Sequence, residues 1–580
     1  MIAARIRLLL LLRGRAGGAL VGLQLIRAAL PVLLALSVGD LVNALLRAHT
    51  AGRALAGAGL VAGLFLIDQL VWLAIGPVRT LVVKRVDGDL RGRVRRRATG
   101  LRGLDELESA GFQDRAARAV DVGMGMGRER SPGNAAAGQF ELLARIASAT
   151  AAAVLVATFS VPLAAALLGG ALAMRAVVRR QWMAIVDRLD ADTAGQRHEY
   201  YVAATAVMGA AKDVRLFGLS DWFAGRFRAA VIRTYGPVWR ANLSTLRRQW
   251  WIAGLSALAG AAVLGLPAAA TLAGDLDPGR LVAIVLAGFG VLAMTGLGME
   301  AFDIEYGRRG LAAVEELAER YPAMARHGAA ASEDPPTVRF DGVSFHYPGT
   351  ERPVLDNLTV TLNPGETVAI VGANGAGKTT LVKLLAGLYP PTAGRITIDG
   401  RDPRVERPPI AALFQDFVRY PATLRDNITA AAPGHPDDDA VRDARAQADA
   451  PDLPLDASLW REGSGGTDLS GGQWQRVALA RVLYAVRKGR RLLVLDEPTA
   501  QLDVRSEAEF HERVVSQVEG ATTILISHRL STVRPADRIL LLKDGRIAED
   551  GTHDELIALG GDYARFFTTQ AAAFARGEQP

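Results

Sequence analysis

Six stretches within the first 305 residues are long and apolar enough to cross a bilayer: approximately 20–46, 54–76, 138–159, 161–179, 251–273 and 281–302. A helix needs about 20 consecutive apolar residues to span the hydrocarbon. Only "SVP", Ser160 to Pro162, separates the third stretch from the fourth. Buried helices of a large soluble core are the plain alternative, but the runs are too long and too many for that. From 337 to 570 the pattern changes to short apolar strands alternating with polar helices, which reads as an α/β domain. The small residues and paired prolines of "RHGAAASEDPP", Arg326 to Pro336, suit an exposed linker. The expected division is therefore a membrane domain over 1–325, a linker over 326–336, a second domain over 337–570 and a tail over 571–580.

Charge orients the spans. Lys and Arg number 67 against 60 Asp and Glu, a formal net charge of +7. "RGRVRRRATGLR" follows the second span and "RAVVRRQW" the fourth, whereas the other three connections are short and weakly charged. By the positive-inside rule both termini and the two long loops are cytoplasmic. The basic excess is then topological, and no nucleic-acid partner is expected. The chain has no cysteine, which excludes disulfides, cysteine-ligated zinc and a cysteine-protease domain. Leu8 to Leu12, interrupted by Arg13 and Arg15, is too short for a signal-peptide core and reads as an interfacial helix. Arg27, Asp40, Asp68 and Arg145 fall within or beside the spans, where charge is expensive. Arg27 and Asp68 could pair at similar depth, or Arg27 and Arg145 could lie in cytoplasmic helix extensions; no role is assigned to them. Two amphipathic loop stretches, Leu107 to Val120 and Ala210 to Phe227, would set aromatics such as Phe217, Trp222 and Phe223 on a cytoplasmic surface.

The second half carries phosphate chemistry. In "TVAIVGANGAGKTTLVKLLAGL" a β-rich run, Thr367 to Val371, leads into Gly372-x4-Gly377-Lys378-Thr379 and then a helix, the context that confirms a phosphate-binding loop. Gly372, Asn374, Gly375, Ala376 and Gly377 let backbone N–H groups close around phosphates. Lys378 reaches the β- and γ-oxygens, the Thr379 hydroxyl can ligate Mg2+, and Thr380 adds a donor. "RRLLVLDEPTAQLD" reads as a buried parallel strand ending in Asp496 and Glu497. Ligands of open α/β sheets gather at the carboxyl ends of strands. Asp496 is accordingly expected to hold Mg2+, directly or through water, and Glu497 to polarise the attacking water. The strand Thr523 to Ile526 ends at Ser527 and His528, at the same expected edge. Gln415, after a short apolar run, could sense Mg2+ or water. "LSGGQWQR", Leu469 to Arg476, opens a helix with Ser470, Gly471, Gly472 and Gln473, a second start shaped to hold an anion.

Order and spacing reach a family here. Gly372–Thr379, Gln415, "LSGGQ", Asp496-Glu497, "AQLD" and His528 resemble the Walker A, Q-loop, signature, Walker B, D-loop and H-loop of an ATP-binding cassette. With six preceding spans and two long cytoplasmic loops, the chain resembles a half-size ABC transporter of exporter type (type IV fold). The resemblance implies an α-helical membrane domain followed by an α/β P-loop cassette. It implies ATP and Mg2+ as ligands, with Thr379, Gln415 and Asp496 on the metal and Glu497, His528 and Gln415 in catalysis. It also places Tyr347 of "VSFHYPG" on adenine, against the plain alternative of a strand-end tyrosine. Ser470, Gly471, Gly472 and Gln473 would then complete the ATP site of a second chain, so a partner half-transporter, identical or a diverged paralogue, is required. The loop helices would correspond to coupling helices. Thr467-Asp468, Trp474 and Gln501 depart from commoner family residues without removing a catalytic group.

The expected function is ATP-driven export of an amphiphilic small molecule, peptide natural product or lipid by alternating access in a dimer. The setting is a bacterial plasma membrane with membrane lipids as neighbours. An importer of siderophore type on the same fold, and a regulated channel or sensor, are the alternatives; a soluble cassette ATPase of DNA repair or translation is opposed by the spans. No motif fixes direction or substrate.

Overall fold

The computed structural model describes the chain apart from residues 1, 47–50, 102, 121–130, 192, 206–210, 297, 323–333, 407–408, 433, 435, 461–464, 498–519, 528–529 and 576–580. Two compact units emerge: one of residues 1–99 and 110–322, the other of residues 100–109 and 323–580.

The first unit is helical, and among the described residues six helical segments are long and apolar enough to cross a membrane: Arg15–Leu46, Gly52–Ala98, Pro132–Ala157, Val161–Ala184, Trp250–Leu272 and Pro278–Arg320. They include the six expected runs, but several continue well beyond the apolar residues. The second keeps its helix through Arg95, Arg96 and Arg97 to Ala98. Hydropathy stops at the hydrocarbon edge, whereas backbone hydrogen bonding has no reason to. Caps fix two of the starts. Ser131 accepts from Asn134 N ahead of Pro132, and Asp277 accepts from Arg280 N ahead of Pro278. Proline at the first helical position loses no bond there.

The sixth span is not one helix, as a single run over 281–302 would imply. Helix Pro278–Leu292 passes into a 3-10 turn at Ala293–Thr295, and a new helix runs from Glu300 to Arg320. Glycines flank the break; a Cβ on Gly298 would lie 1.8 Å from Glu300 Oε2 and 2.5 Å from Arg145 Nη1. Freed carbonyls in a membrane-embedded region need partners from the protein itself, and two arginines supply them. Arg145 donates to Ala293 O and Gly296 O at 3.2 and 3.1 Å, and Arg175 to Gly296 O at 2.8 Å. Both guanidiniums also meet Glu300 Oε1, at 2.7 and 2.8 Å. Arg145 thus caps a broken helix, while Asp68 accepts from Gln69 at 3.4 Å and no described ion pair joins it to Arg27.

The second unit is α/β. β1 (Val338–Phe345), β2 (Leu355–Leu362) and β4 (Ala393–Ile398) form an antiparallel sheet ordered β2-β1-β4. β3 (Thr367–Val371), β5 (Ile410–Leu413), β6 (Leu492–Asp496), β7 (Thr522–Ile526), β8 (Arg538–Lys543) and β9 (Arg546–Gly551) form a six-stranded sheet ordered β5-β6-β7-β3-β8-β9. It is parallel except for β9. Strands β6 and β7 are buried at every residue, as continuous apolar runs in a covered parallel sheet require. Register aligns Asp496 with Ile526 and Ile526 with Ile370. The chain ends after β3 and β6 therefore leave the sheet at one level.

Leu107 to Val120 divides between the units. Leu104–Glu108 is a short helix in the second unit, and Ala110–Val120 packs on Glu300–Arg320 in the first. The later amphipathic stretch is a helix Ala211–Leu216 followed by Ser220–Arg248, and Phe217 and Trp222 are exposed.

Candidate functional site

The loop after β3 folds as its glycines allow. Gly372, Gly375 and Gly377 have φ of 154°, 83° and 105°. A Cβ on Gly377 would sit 2.8 Å from Leu355 Cδ2 and 3.0 Å from Val354 O, so no side chain fits there. The helix Lys378–Leu385 begins at once, presenting unpaired N–H groups beside the loop. Lys378 is buried, and its ammonium donates to Gly372 O at 2.8 Å and Ala373 O at 3.0 Å. Burial pulls the Lys378 pKa below the ordinary lysine value, while Glu497 and Asp496 pull it back up.

The carboxylates arrive from β6. Asp496, 2% exposed, accepts from the Thr379 hydroxyl at 3.0 Å. Burial pushes its carboxyl above the ordinary range; the Thr379 bond opposes this, the Glu497 charge adds to it, and Lys378 opposes it. Glu497 follows with φ of 49°, a left-handed backbone at a non-glycine residue. Its N–H donates to Ile526 O at 2.9 Å, and its Oε2 accepts from Gln415 Nε2 at 3.0 Å. Such strain collects at sites where one side chain must be aimed.

These residues border a cavity of about 850 Å³ lined by Tyr347, Val354, Gly372, Ala373, Asn374, Gly375, Gly377, Lys378, Thr379, Thr380, Gln415, Asp496, Glu497 and Phe566. Of the residues expected from sequence, Ala376 packs against the core instead. His528 and Gln501 lie outside the described residues. Ser470, Gly471, Gly472 and Gln473 do not line this cavity. They start the helix Gly471–Arg487, where Ser470 and Gln473 form a reciprocal capping box and Trp474 is buried in the core. Val354, Ala373 and Phe566 were not singled out from sequence. Phe566 sits on the helix Asp562–Ala575, whose start is tied down by Glu549 accepting from Asp562 N and Tyr563 N. No motif marks it; only the tertiary fold brings it to the loop.

A phosphate loop facing an Asp-Glu pair across a parallel sheet, with a glutamine bonded to the glutamate, is an arrangement suited to holding a nucleoside triphosphate. Residues 355–500 match the ABC transporter family model. The chain is 36% identical over 332 residues to the mycobactin import ATP-binding/permease protein IrtB of Mycobacterium tuberculosis strain H37Rv, covering 55% of this chain and 56% of the relative. To the ATP-dependent lipid A-core flippase of Dechloromonas aromatica it is 34% identical over 376 residues, covering 62% and 63%. The chain thus spans little more than half the length of these curated relatives. The solved structure of a bacterial Atm1-family ABC exporter with ATP bound superposes with a TM-score of 0.75 at 25% identity, covering 96% of this chain and 99% of that one. The fold is that of a half-size exporter-type ABC protein.

Proposed function

We propose that the chain is one half of an ATP-driven membrane transporter that works as a dimer of two half-transporters. The observation that carries this is the convergence of Lys378, Thr379, Gln415, Asp496 and Glu497 on one cavity in a chain with six candidate spans. ATP would place its phosphates on the Gly372–Thr380 loop and its adenine on Tyr347. Thr379 and Asp496, already in hydrogen-bond contact, fit a Mg2+ ion, which would neutralise phosphate charge, and Gln415, bonded to Glu497, lines the same cavity. Glu497 is the base that polarises water, and the family resemblance assigns His528 a contact to the γ-phosphate. Ser470, Gly471, Gly472 and Gln473 would meet the nucleotide of the partner chain. Closure driven by ATP and reopening after hydrolysis would then bias the spans between two arrangements. The spans belong to a membrane domain over 1–325, joined by the 326–336 linker to the cassette over 337–570, with both termini in the cytoplasm of a bacterium.

Export of an amphiphilic molecule, peptide natural product or lipid is the main reading, in keeping with likeness to a lipid A-core flippase and an Atm1-family exporter. Import is the second reading, favoured by several relatives named for mycobactin import at 36 to 41% identity. The test is ATPase and vesicle transport by the purified chain beside Glu497→Gln. The variant should bind ATP as tightly as the parent and lose turnover by a factor of about 100 or more, the scale of general-base catalysis. Normal hydrolysis by Glu497→Gln removes the assignment, and the direction of ATP-dependent movement in sealed vesicles decides between export and import.

A further inference from the structure

A cavity of about 420 Å³ in the helical unit is lined by Arg240, Leu243, Ser244 and Arg247 of the Ser220–Arg248 helix. At 3.6 residues per turn Ile232, Leu243, Arg247, Arg240 and Ser244 fall within about 120° of one face. Thr234, Val238 and Ala241, on the opposite face, are buried, so the cavity lies on the side turned away from the packing. Charge on this helix is lopsided: six arginines stand against one acidic residue, Asp221. Arg240 reaches Gly236 O of its own helix at 3.4 Å, and among the described residues neither Arg240 nor Arg247 meets a carboxylate. Ser244 turns its hydroxyl to Ala241 O at 2.8 Å and, being small, leaves the space between the two long side chains open.

Two guanidiniums with no acid between them draw anions, and their planar donor forks match the oxygens of a phosphate or carboxylate. About 10 Å of helix axis separates them, so both long arms can reach one headgroup held between. Position along the chain supplies the rest of the ligand. The fifth candidate span, Trp250–Leu272, starts three residues after Arg247. Trp250 is 76% exposed and Leu243 60%. Tryptophan at the start of a span marks the membrane–water interface, and a cationic pair just outside it stands at the level of lipid headgroups. Leu243 and Trp250 offer apolar surface to a hydrocarbon chain, which a free inorganic ion would not use.

We propose that Arg240 and Arg247 clamp the anionic headgroup, phosphate or carboxylate, of a membrane amphiphile whose chain runs along Leu243 toward the fifth span. The site rests on the transporter reading for its membrane setting. Its occupant is anionic cargo or an anionic lipid of the same leaflet, and movement in vesicles separates the two. The full-length protein in a non-ionic detergent is titrated with brominated-chain phosphatidic acid or phosphatidylcholine, and quenching of tryptophan fluorescence is read. Phosphatidic acid should quench at about tenfold lower mole fraction, the scale expected of one to two cations at a membrane surface. Arg240→Gln/Arg247→Gln should bring the two lipids together. Ser244→Phe, which keeps both charges and fills the space between them, should do the same, so a paired variant that fails to fold leaves the test standing. Arg228→Gln, about 18 Å away along the same helix, should keep the parent's preference. Equal quenching by both lipids in the parent overturns the proposal, as does a preference that survives the paired variant or is lost equally in Arg228→Gln. Loss of the preference to inorganic phosphate at matched ionic strength would make this a free-anion site. Dissociation of a two-chain form by the paired variant would make it a subunit contact; either result also overturns the proposal. ATP-driven movement of fluorescent phosphatidic acid across sealed vesicles marks cargo, and binding without its movement marks a resident lipid. Failure of every amphiphile to move would sink the transporter reading and leave the binding site intact.

Discussion

Glu300→Gln tests the capping of the broken sixth span. The Glu300 side chain is 1% exposed and its Oε1 accepts from Arg145 and Arg175, whose side chains are 30% and 8% exposed. The amide keeps size and one acceptor oxygen but removes the charge and turns an N–H donor toward one guanidinium or the other. Breaking a buried ion pair by removing one partner costs about 3–5 kcal/mol, because the other charge is left uncompensated. Arg145 is solvated enough for its share to be small, and both arginines retain bonds to the Ala293 or Gly296 carbonyls. The expected loss is therefore near the lower limit, about 3 kcal/mol, or roughly a hundredfold in the folded-to-unfolded ratio. SDS-driven unfolding of the purified protein, followed through the tryptophans of the helical unit, reads it. Glu300→Gln combined with Arg175→Met should recover part of the loss, since replacing both members of a buried pair is often close to neutral. A single variant as resistant as the parent, or a double variant whose losses simply add, refutes the reasoning.

Gly377→Ala should abolish nucleotide binding in equilibrium dialysis: a side chain at φ of 105° costs about 1–3 kcal/mol before the collision with Leu355 and Val354 is counted. Asp496→Asn should raise the melting temperature of the nucleotide-free protein at neutral pH while removing Mg2+-dependent hydrolysis. The sign follows from burial: the folded pKa lies above the unfolded value, so stability falls as pH rises from the unfolded pKa through the folded one, and neutralising the group relieves that loss. Phe566→Ala should weaken ATP affinity by about 1 kcal/mol, roughly fivefold in Kd, the loss expected of a half-buried aromatic contact.

The phosphate loop and β6 were legible because local rules and the global fold agree there. Thr367–Val371 is a strand by its β-branched residues, Gly372 and Gly377 are glycines by steric need, and Leu492–Leu495 is apolar because both faces of its sheet are covered. The six spans were legible from length and hydropathy alone. What stayed hidden depends on contacts between distant residues. "TGLGME" within an apolar run does not announce a helix break, because the arginines that make it tolerable lie on two other helices. Leu104–Glu108 reads as one turn of an amphipathic loop, and only Leu388 and Tyr389, more than 280 residues later, draw it into the cassette. Arg145 could be noticed from sequence, but not its partner Glu300.

The most direct measurement exploits the absence of cysteine. Two cysteines are introduced, Asn374→Cys in the phosphate loop and Ser470→Cys at the signature helix, in the Glu497→Gln background that retains ATP. A short bismaleimide is then added with and without MgATP, and the products are separated on a denaturing gel. Nucleotide held between two chains should give a two-chain product that needs both cysteines and forms only with ATP. A single-chain product at every ATP concentration, or linkage indifferent to ATP, contradicts the account.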